Sequence, residues 1–372
     1  MGSNRRKYIV AADSFKGCMN TFEVESAISR AIRAADANAD VVCIPVSDGG
    51  EGFLQAYSSL TECRFEECGC HDPLMRRIKA CYGVCNNGYT VIETALSCGI
   101  NLLEENELNP LVATSYGVGE MLADAIRKGH EKLLVGLGGS ATSDCGLGML
   151  KALIDKFCPN KTIYDLQDYF AEQHPELSIT IACDVDAVLY GDRGAACMFG
   201  TQKGAGDDMK KLLDRRAETF AEMAAKRMKT DMSMRSGAGA AGGLGYAFMQ
   251  FLNAKVVSGI DVLLKAADFT DKLKAANLVI TGEGRADRQT VLGKAAYGIM
   301  KTAEQQSVAT LLIAGQIEDE QLLSDAGFKY VIPINNKVFI DKYKNIITDK
   351  DYNSQRIFEI VSNFVNSSDF DL

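Results

Sequence analysis

One unit recurs along this sequence: a short apolar run of β-forming residues, a loop of glycines and acids, then apolar residues at helical spacing. KYIVAADSFKG gives a strand ending at Asp13, followed by a helix from about Thr21. VVCIPVSDGGEG gives a strand ending at Asp48, then a helix through Phe53 and Leu54. In VGLGGSATSDCGLGML, residues 135–150, the strand Leu133–Leu137 enters a Gly-rich loop and helical spacing over Leu147–Ile154 leaves it. NLVITGEGRADRQT is a fourth case, with a helix from about Gly293. ATLLIAG and YVIPI add strands, with the helix-like Asp319–Ala326 between them. Strands that alternate with helices form parallel, doubly wound sheets.

A chain of 372 residues is about twice a typical domain. The simplest grouping puts the first two strands with Leu278–Thr281, Ala309–Ala314 and Tyr330–Ile334. Thr90–Glu93, Leu133–Leu137 and Ile179–Cys183 then belong to a second domain inserted in the first. The expected fold is therefore α/β with two α/β domains. Residues 1–64 and 262–372 form a doubly wound (Rossmann- or flavodoxin-like) domain, and 65–261 form an inserted domain carrying the Gly-rich loop. In such sheets ligands bind outside the carboxyl ends of the strands, so the loops should converge on one interdomain cleft.

The net charge of −9 argues against a nucleic-acid or anionic-membrane partner. No apolar run approaches the ~20 residues of a membrane span. Arg5, Arg6 and Lys7 precede too short an apolar run for a signal peptide, which predicts a cytoplasmic protein. Twelve cysteines in a reducing compartment are expected to be buried small hydrophobes and not disulfides. Cys63, Cys68, Cys70, His71, Cys81 and Cys85 lack the paired spacing of a zinc site and read as strand and loop filler.

The Gly-rich loop sits where a strand becomes a helix, so bare backbone N–H groups should face an anion at the helix N-terminus. Ser140, Thr142 and Ser143 add hydroxyls, and Asp144 either holds a Mg²⁺ or caps the helix. The same stretch contains Gly136-x-Gly138-x-x-Ala141, a loose dinucleotide fingerprint with Asp165 downstream. No P-loop occurs, since Gly293-Lys294 is followed by Ala295. TGEGRADRQTVLGK gathers Glu283, Arg285, Asp287 and Lys294 after a buried strand. Asp184 and Asp186 close another strand, and Lys203 lies in a Gly-rich turn. RSGAGAAGGLG suits close approach of its backbone to a ligand or to another element. His71, His130 and His174 avoid all these loops, which disfavours a His-dependent hydrolase or dehydrogenase. Carboxylates, lysines, an arginine and glycines suit phosphoryl transfer.

These stretches resemble the type I bacterial glycerate kinases. The likeness is carried by DSFKG at 13–17, PVSDGGEG at 45–52, NPLVATSYGVGE at 109–120 and GLGGSATSDCGLGM at 136–149. It continues through CDV at 183–185, QKGA at 202–205, GAGAAGGLG at 237–245 and TGEGRADRQTVLGK at 281–294. The resemblance implies an ATP-dependent, Mg²⁺-assisted kinase of D-glycerate acting on the 2-hydroxyl, with the 3-hydroxyl left open. Three stretches depart from the family pattern: Ser143-Asp144-Cys145-Gly146, Ala187-Val188 and Gly200-Thr201-Gln202-Lys203. The second of these bears on substrate choice. A homodimer is compatible with this reading.

On that reading Gly138, Gly139, Ser140 and Thr142 contact ATP phosphates, with Lys203 or Lys294 as charge partner. Arg285 and Lys16, with Ser14 beside them, hold the carboxylate of glycerate, Arg285 bidentately. Asp184 and Glu283 are assigned to Mg²⁺. Among Asp13, Asp48, Asp184, Glu283 and Asp287, the general base is Asp48, with Asp13 second. The rival readings are a dinucleotide-dependent oxidoreductase built on Gly136 to Ala141, and a non-catalytic metabolite-binding regulator.

Overall fold

Two sheets organise the chain. The computed structural model describes residues 5–15, 17–335 and 349–367. Among them, eleven strands run in chain order as β1 (Lys7–Ala12), β2 (Asp40–Cys43), β3 (Cys63–His71), β4 (Arg77–Cys85), β5 (Thr90–Glu93) and β6 (Lys132–Gly136). They continue as β7 (Ser178–Ala182), β8 (Lys255–Val257), β9 (Leu278–Ala286), β10 (Ala309–Ile317) and β11 (Tyr330–Pro333). The chain divides into one unit of Met1–Asp48 with Ile260–Leu372 and another of Gly49–Gly259. The first division thus falls one helix earlier than the expected 64/65, because Phe53–Leu60 packs within the second unit.

In the first unit the order is β11-β10-β9-β1-β2, and every pairing is parallel. This is the expected grouping of strands. Parallel sheets are covered on both faces, which is why their strands read as continuous apolar runs. Leu311 and Ile313 pack with Val24, Ile28, Ile357 and Val361 of the helices Thr21–Ala35 and Lys350–Asn366. Leu312 and Ala314 pack with Ala296, Met300, Leu323 and Phe328. Alternate residues of one strand therefore serve two cores. The first helix begins where expected, at Thr21, because Asn20 and Glu23 form a capping box. β2 ends at Cys43 and does not reach Asp48. Ile44 N still donates to Val10 O at 2.8 Å, but the next donor in register, Val46 N, turns to Thr21 Oγ1 at 3.3 Å, and that hydroxyl donates to Ala12 O at 2.6 Å in its place.

In the second unit the order is β3-β4-β5-β6-β7-β8. β5 to β8 pair in parallel, and β3 and β4 add an antiparallel hairpin that makes the sheet mixed. The three expected strands are present as β5, β6 and β7. The loop after β3, though it opens with Asp72, leads to a second strand and not to a helix, so the recurring unit could not mark it. Cys63 and Cys85 face each other across it with Cα atoms 3.9 Å apart and are joined by a disulfide, contrary to the expectation of free thiols. Cys68 and Cys70 are buried in the core, as small hydrophobes are. Among the described residues no helix is long and apolar enough to cross a membrane.

Candidate active site

The carboxyl ends of β5, β6 and β7 carry the Gly-rich machinery of the second unit. Residues 49–52 lie directly on it. A Cβ on Gly138 would strike Gly50 Cα, and one on Gly49 would sit 2.6 Å from Ala182 O, so these backbones meet with no room for side chains. The loop after β6 is laced to the segment before it: Ile100 N donates to Gly139 O, and Ala141 N to Cys98 O, both at 2.8 Å. RSGAGAAGGLG approaches another element. Residues 241–243 have positive φ, Gly242 O accepts from Cys145 N at 3.1 Å, and a Cβ on Gly242 would strike Thr142 O.

The expectation for the helix N-terminus is corrected. Asp144 fills it, accepting from Gly146 N at 3.0 Å and Gly148 N at 3.1 Å ahead of the helix Leu147–Phe157. The same carboxylate accepts from Ser115 N at 2.8 Å and Ser115 Oγ at 2.9 Å, at the start of the helix Tyr116–Arg127. Asp144 thus staples two helix starts and takes the place an anionic ligand would occupy. This also weighs against the dinucleotide reading, which needs a pyrophosphate at that terminus. Asp165, its acid, is turned to Thr162 N and Oγ1.

What the loop keeps for a ligand lies just before Asp144. The backbone N–H groups of Gly138, Gly139, Ser140, Thr142 and Ser143 have no acceptor among the described residues. Ser143 Oγ is also buried without a partner. Beneath them lies Lys203, 2% exposed, whose Nζ donates to Ser140 Oγ at 3.0 Å and Thr142 O at 2.6 Å. Burial pulls the ammonium down to about 8, opposed by Cys98 and Asp144 nearby. A run of unoccupied amides over a buried cation is an anion-binding arrangement. Asp184 follows β7, its Oδ1 accepting from Gly259 N at 3.0 Å.

The first unit presents a different cluster at the carboxyl end of β9. Glu283 is buried. It accepts from Thr290 Oγ1 at 2.7 Å and from Lys294 Nζ at 2.8 Å. Burial raises its carboxyl above the ordinary value, and the Lys294 ammonium works against that rise. Lys294 also donates to Arg285 O at 3.2 Å and lies 3.9 Å from Asp287. Arg285 is the exposed member, its side chain 59% accessible, paired with Glu318 and 3.7 Å from Asp287. On the adjacent strand, Asp13 follows β1, with Asp13 N donating to Gly282 O at 2.9 Å and Ser14 N to Asp13 Oδ1 at 2.7 Å.

The structure therefore brings Gly138, Gly139, Ser140, Thr142 and Lys203 together, and separately Glu283, Arg285, Asp287 and Lys294. Asp48 ends the first unit, next in the chain to Gly49. Lys16 lies outside the described residues. Two groups escaped the sequence reading. Ser115 needed the fold to meet Asp144. Glu93, at the end of β5, carried the signal that marked Asp13 and Asp48, an acid closing an apolar strand, within VIETAL.

The sequence profile described as the Glycerate kinase family matches residues 8–365. The chain is 39% identical over 326 residues to a glycerate kinase of Bacillus subtilis (strain 168), covering 84% of this chain and 85% of that one. It is 35% identical over 363 residues to a glycerate 2-kinase of Escherichia coli (strain K12), covering 91% and 95%. A crystal structure from Salmonella typhimurium LT2, provisionally named glycerate kinase 2, superposes with a TM-score of 0.72 at 30% identity, covering 97% of each chain.

Proposed function

This chain belongs to the glycerate kinase family, and from that premise we propose that it transfers the γ-phosphoryl group of ATP to the 2-hydroxyl of D-glycerate. The single observation that carries the reading is the set of amides without a protein acceptor at Gly138, Gly139, Ser140, Thr142 and Ser143, above the buried Lys203. That row suits the phosphates of ATP, whose developing charge must be met by fixed donors.

The substrate hydroxyl attacks the γ-phosphorus, the bond to the bridging oxygen of ADP breaks, and the hydroxyl proton passes to a carboxylate. Asp48 is the proposed acceptor, with Asp13 second. Arg285, Lys16 and Ser14 are proposed to bind the carboxylate of glycerate. For Arg285 this means exchanging Glu318 for the substrate, which its exposure allows. Lys294 stays with Glu283 as the charge partner of this cluster.

Mg²⁺ commonly binds through one or two carboxylates together with substrate phosphates, and the donors present fit that mode. Asp184, whose Oδ1 accepts from Gly259 N, and Glu283, whose two oxygens accept from Thr290 and Lys294, are the carboxylates that would hold it. Bound there, the ion would neutralise phosphate charge.

A coupled assay for ADP release, run with ATP and D-glycerate, tests the reading, and NMR of the product separates 2-phosphoglycerate from 3-phosphoglycerate. A thermal-shift panel completes it, since a ligand at 100 times its Kd stabilises the fold by about 2.7 kcal/mol. Stabilisation by a dinucleotide and not by ATP would favour the oxidoreductase. Stabilisation by ATP without turnover would favour the regulator.

A further inference from the structure

Outside the residues given a role above, Glu93 stands apart. It is the last residue of β5 and is 4% exposed. Both oxygens of its carboxylate are occupied by backbone: Gly52 N donates to Oε1 at 3.1 Å and Leu54 N to Oε2 at 3.0 Å. Those amides open the helix Phe53–Leu60, whose own cap position, Gly52, supplies no side chain. An unpaired buried carboxylate is expensive, so a bond to two free N–H groups of a helix start is a strong reason for an acid at this position.

Glu93 is also the register partner of Gly136, the residue from which the Gly-rich loop departs. Thr94, next in the chain, donates to Gly136 O through N at 3.2 Å and Oγ1 at 2.9 Å. One two-residue step of β5 thus grips both loops: Glu93 holds residues 52–54, and Thr94 holds Gly136. The interval between, Gly49 and Gly50, is the backbone that lies against Gly136 and Gly138.

We propose that Glu93 is a positioning residue, whose buried carboxylate clasps the 49–52 loop onto the Gly-rich loop in the arrangement that phosphoryl transfer requires. The proposal rests on the kinase reading above and adds a residue to it. Glu93 touches neither substrate nor nucleotide. It acts through the backbone it holds, and through the chain leading from Gly49 back to Asp48.

The clasp is pH-sensitive. Burial raises the Glu93 carboxyl to about 7, opposed by the two amides and reinforced by Glu51 on the clasped loop. Cys81 on the neighbouring β4 is the other titratable group facing it, itself pushed up by burial and by Glu93. The ionised form is the better acceptor for both amides. The clasp therefore tightens as pH rises through about 7, and turnover should rise with it.

The test uses the full chain and begins with wild-type kcat for ATP and D-glycerate between pH 5.5 and 8.5, windows chosen to bracket about 7. Glu93→Gln keeps the shape and one acceptor but cannot ionise. It should lower kcat roughly 10- to 100-fold, the scale of a small misplacement of reacting groups. It should leave both KM values within about threefold and lose the wild-type rise near pH 7. Glu93→Asp, which can still ionise, should restore the pH-dependent rise. In the wild type, the protection of the Gly52 and Leu54 amides should fall as pH drops below about 7, so that their exchange slows less steeply than base-catalysed intrinsic exchange does, a readout that survives if Glu93→Gln does not fold. An inactive wild type would defeat the kinase reading and not the clasp. An active wild type with an unchanged profile in Glu93→Gln, or without the amide effect, would overturn the clasp.

Discussion

The Gly-rich loop of the second unit and the charged turn after β9 both close parallel strands, yet they hold charge in opposite ways. In the first, one cation, Lys203, is buried and tied to Ser140 Oγ and Thr142 O, while backbone amides above it are left open. In the second, Glu283, Lys294, Asp287, Arg285 and Glu318 pair with one another, and Arg285 reaches solvent. The contrast assigns different work. A fixed cation under rigid amides suits a charge cloud that must be met without reorganisation, as on a transferring phosphate. A half-exposed arginine with an exchangeable partner suits a small carboxylate that must come and go.

The largest expected effect belongs to the proposed base. Asp48→Asn should lower kcat by about 10²- to 10⁴-fold with KM values nearly unchanged. Near-normal turnover, with Asp13→Asn inactive, would move the role to Asp13. Next comes the rigid region. Lys203→Met removes the buried cation and leaves Thr142 O without its donor. It should cut kcat/KM for ATP by roughly 10²- to 10³-fold, the scale of losing one fixed donor to a developing charge. An effect on glycerate alone would break the comparison.

The exposed region should respond more gently. Arg285→Lys keeps the charge and loses the fork, and should raise KM for glycerate about tenfold, with KM for ATP held. Equal shifts in both would reassign Arg285 to phosphate. Gly138→Ala tests packing and not chemistry. Its Cβ meets Gly50 Cα, so it should lose about 1–3 kcal/mol of stability, read as a lowered melting temperature. The smallest effect is on stability against pH. Lys203 titrates at about 8 in the fold against 10.5 as its ordinary value. Between them the unfolded chain holds a proton that the folded chain lacks, so stability from this group rises as pH climbs through that window. Lys203→Met should flatten that part of the curve.

The first unit was largely legible because its strands are buried on both faces and end in turns of recognisable chemistry. Tyr8–Ala12 and Leu278–Thr281 could hardly be anything but interior strands. The hairpin of β3 and β4 was not legible, since exposed Arg64 and Lys79 and half-buried Glu66 interrupt its apolar alternation. Nor was the reach of β2, which the apolar pattern extends past the point where Thr21 Oγ1 enters the ladder. In the candidate site, Gly138, Ser140 and Lys203 could each be named from composition, and only the fold shows Lys203 beneath the loop. Asp144 shows the limit most clearly. An acid before a helix reads equally as cap or metal ligand, and the choice depends on Ser115, twenty-nine residues earlier in the chain.

The division of labour is tested most directly by one crossed measurement: KM for ATP and for D-glycerate, in the same assay, for Lys203→Met and Arg285→Lys. The account predicts a crossed pattern, with Lys203→Met weakening use of ATP and sparing glycerate, and Arg285→Lys doing the reverse. Parallel losses for both substrates in both variants would contradict it.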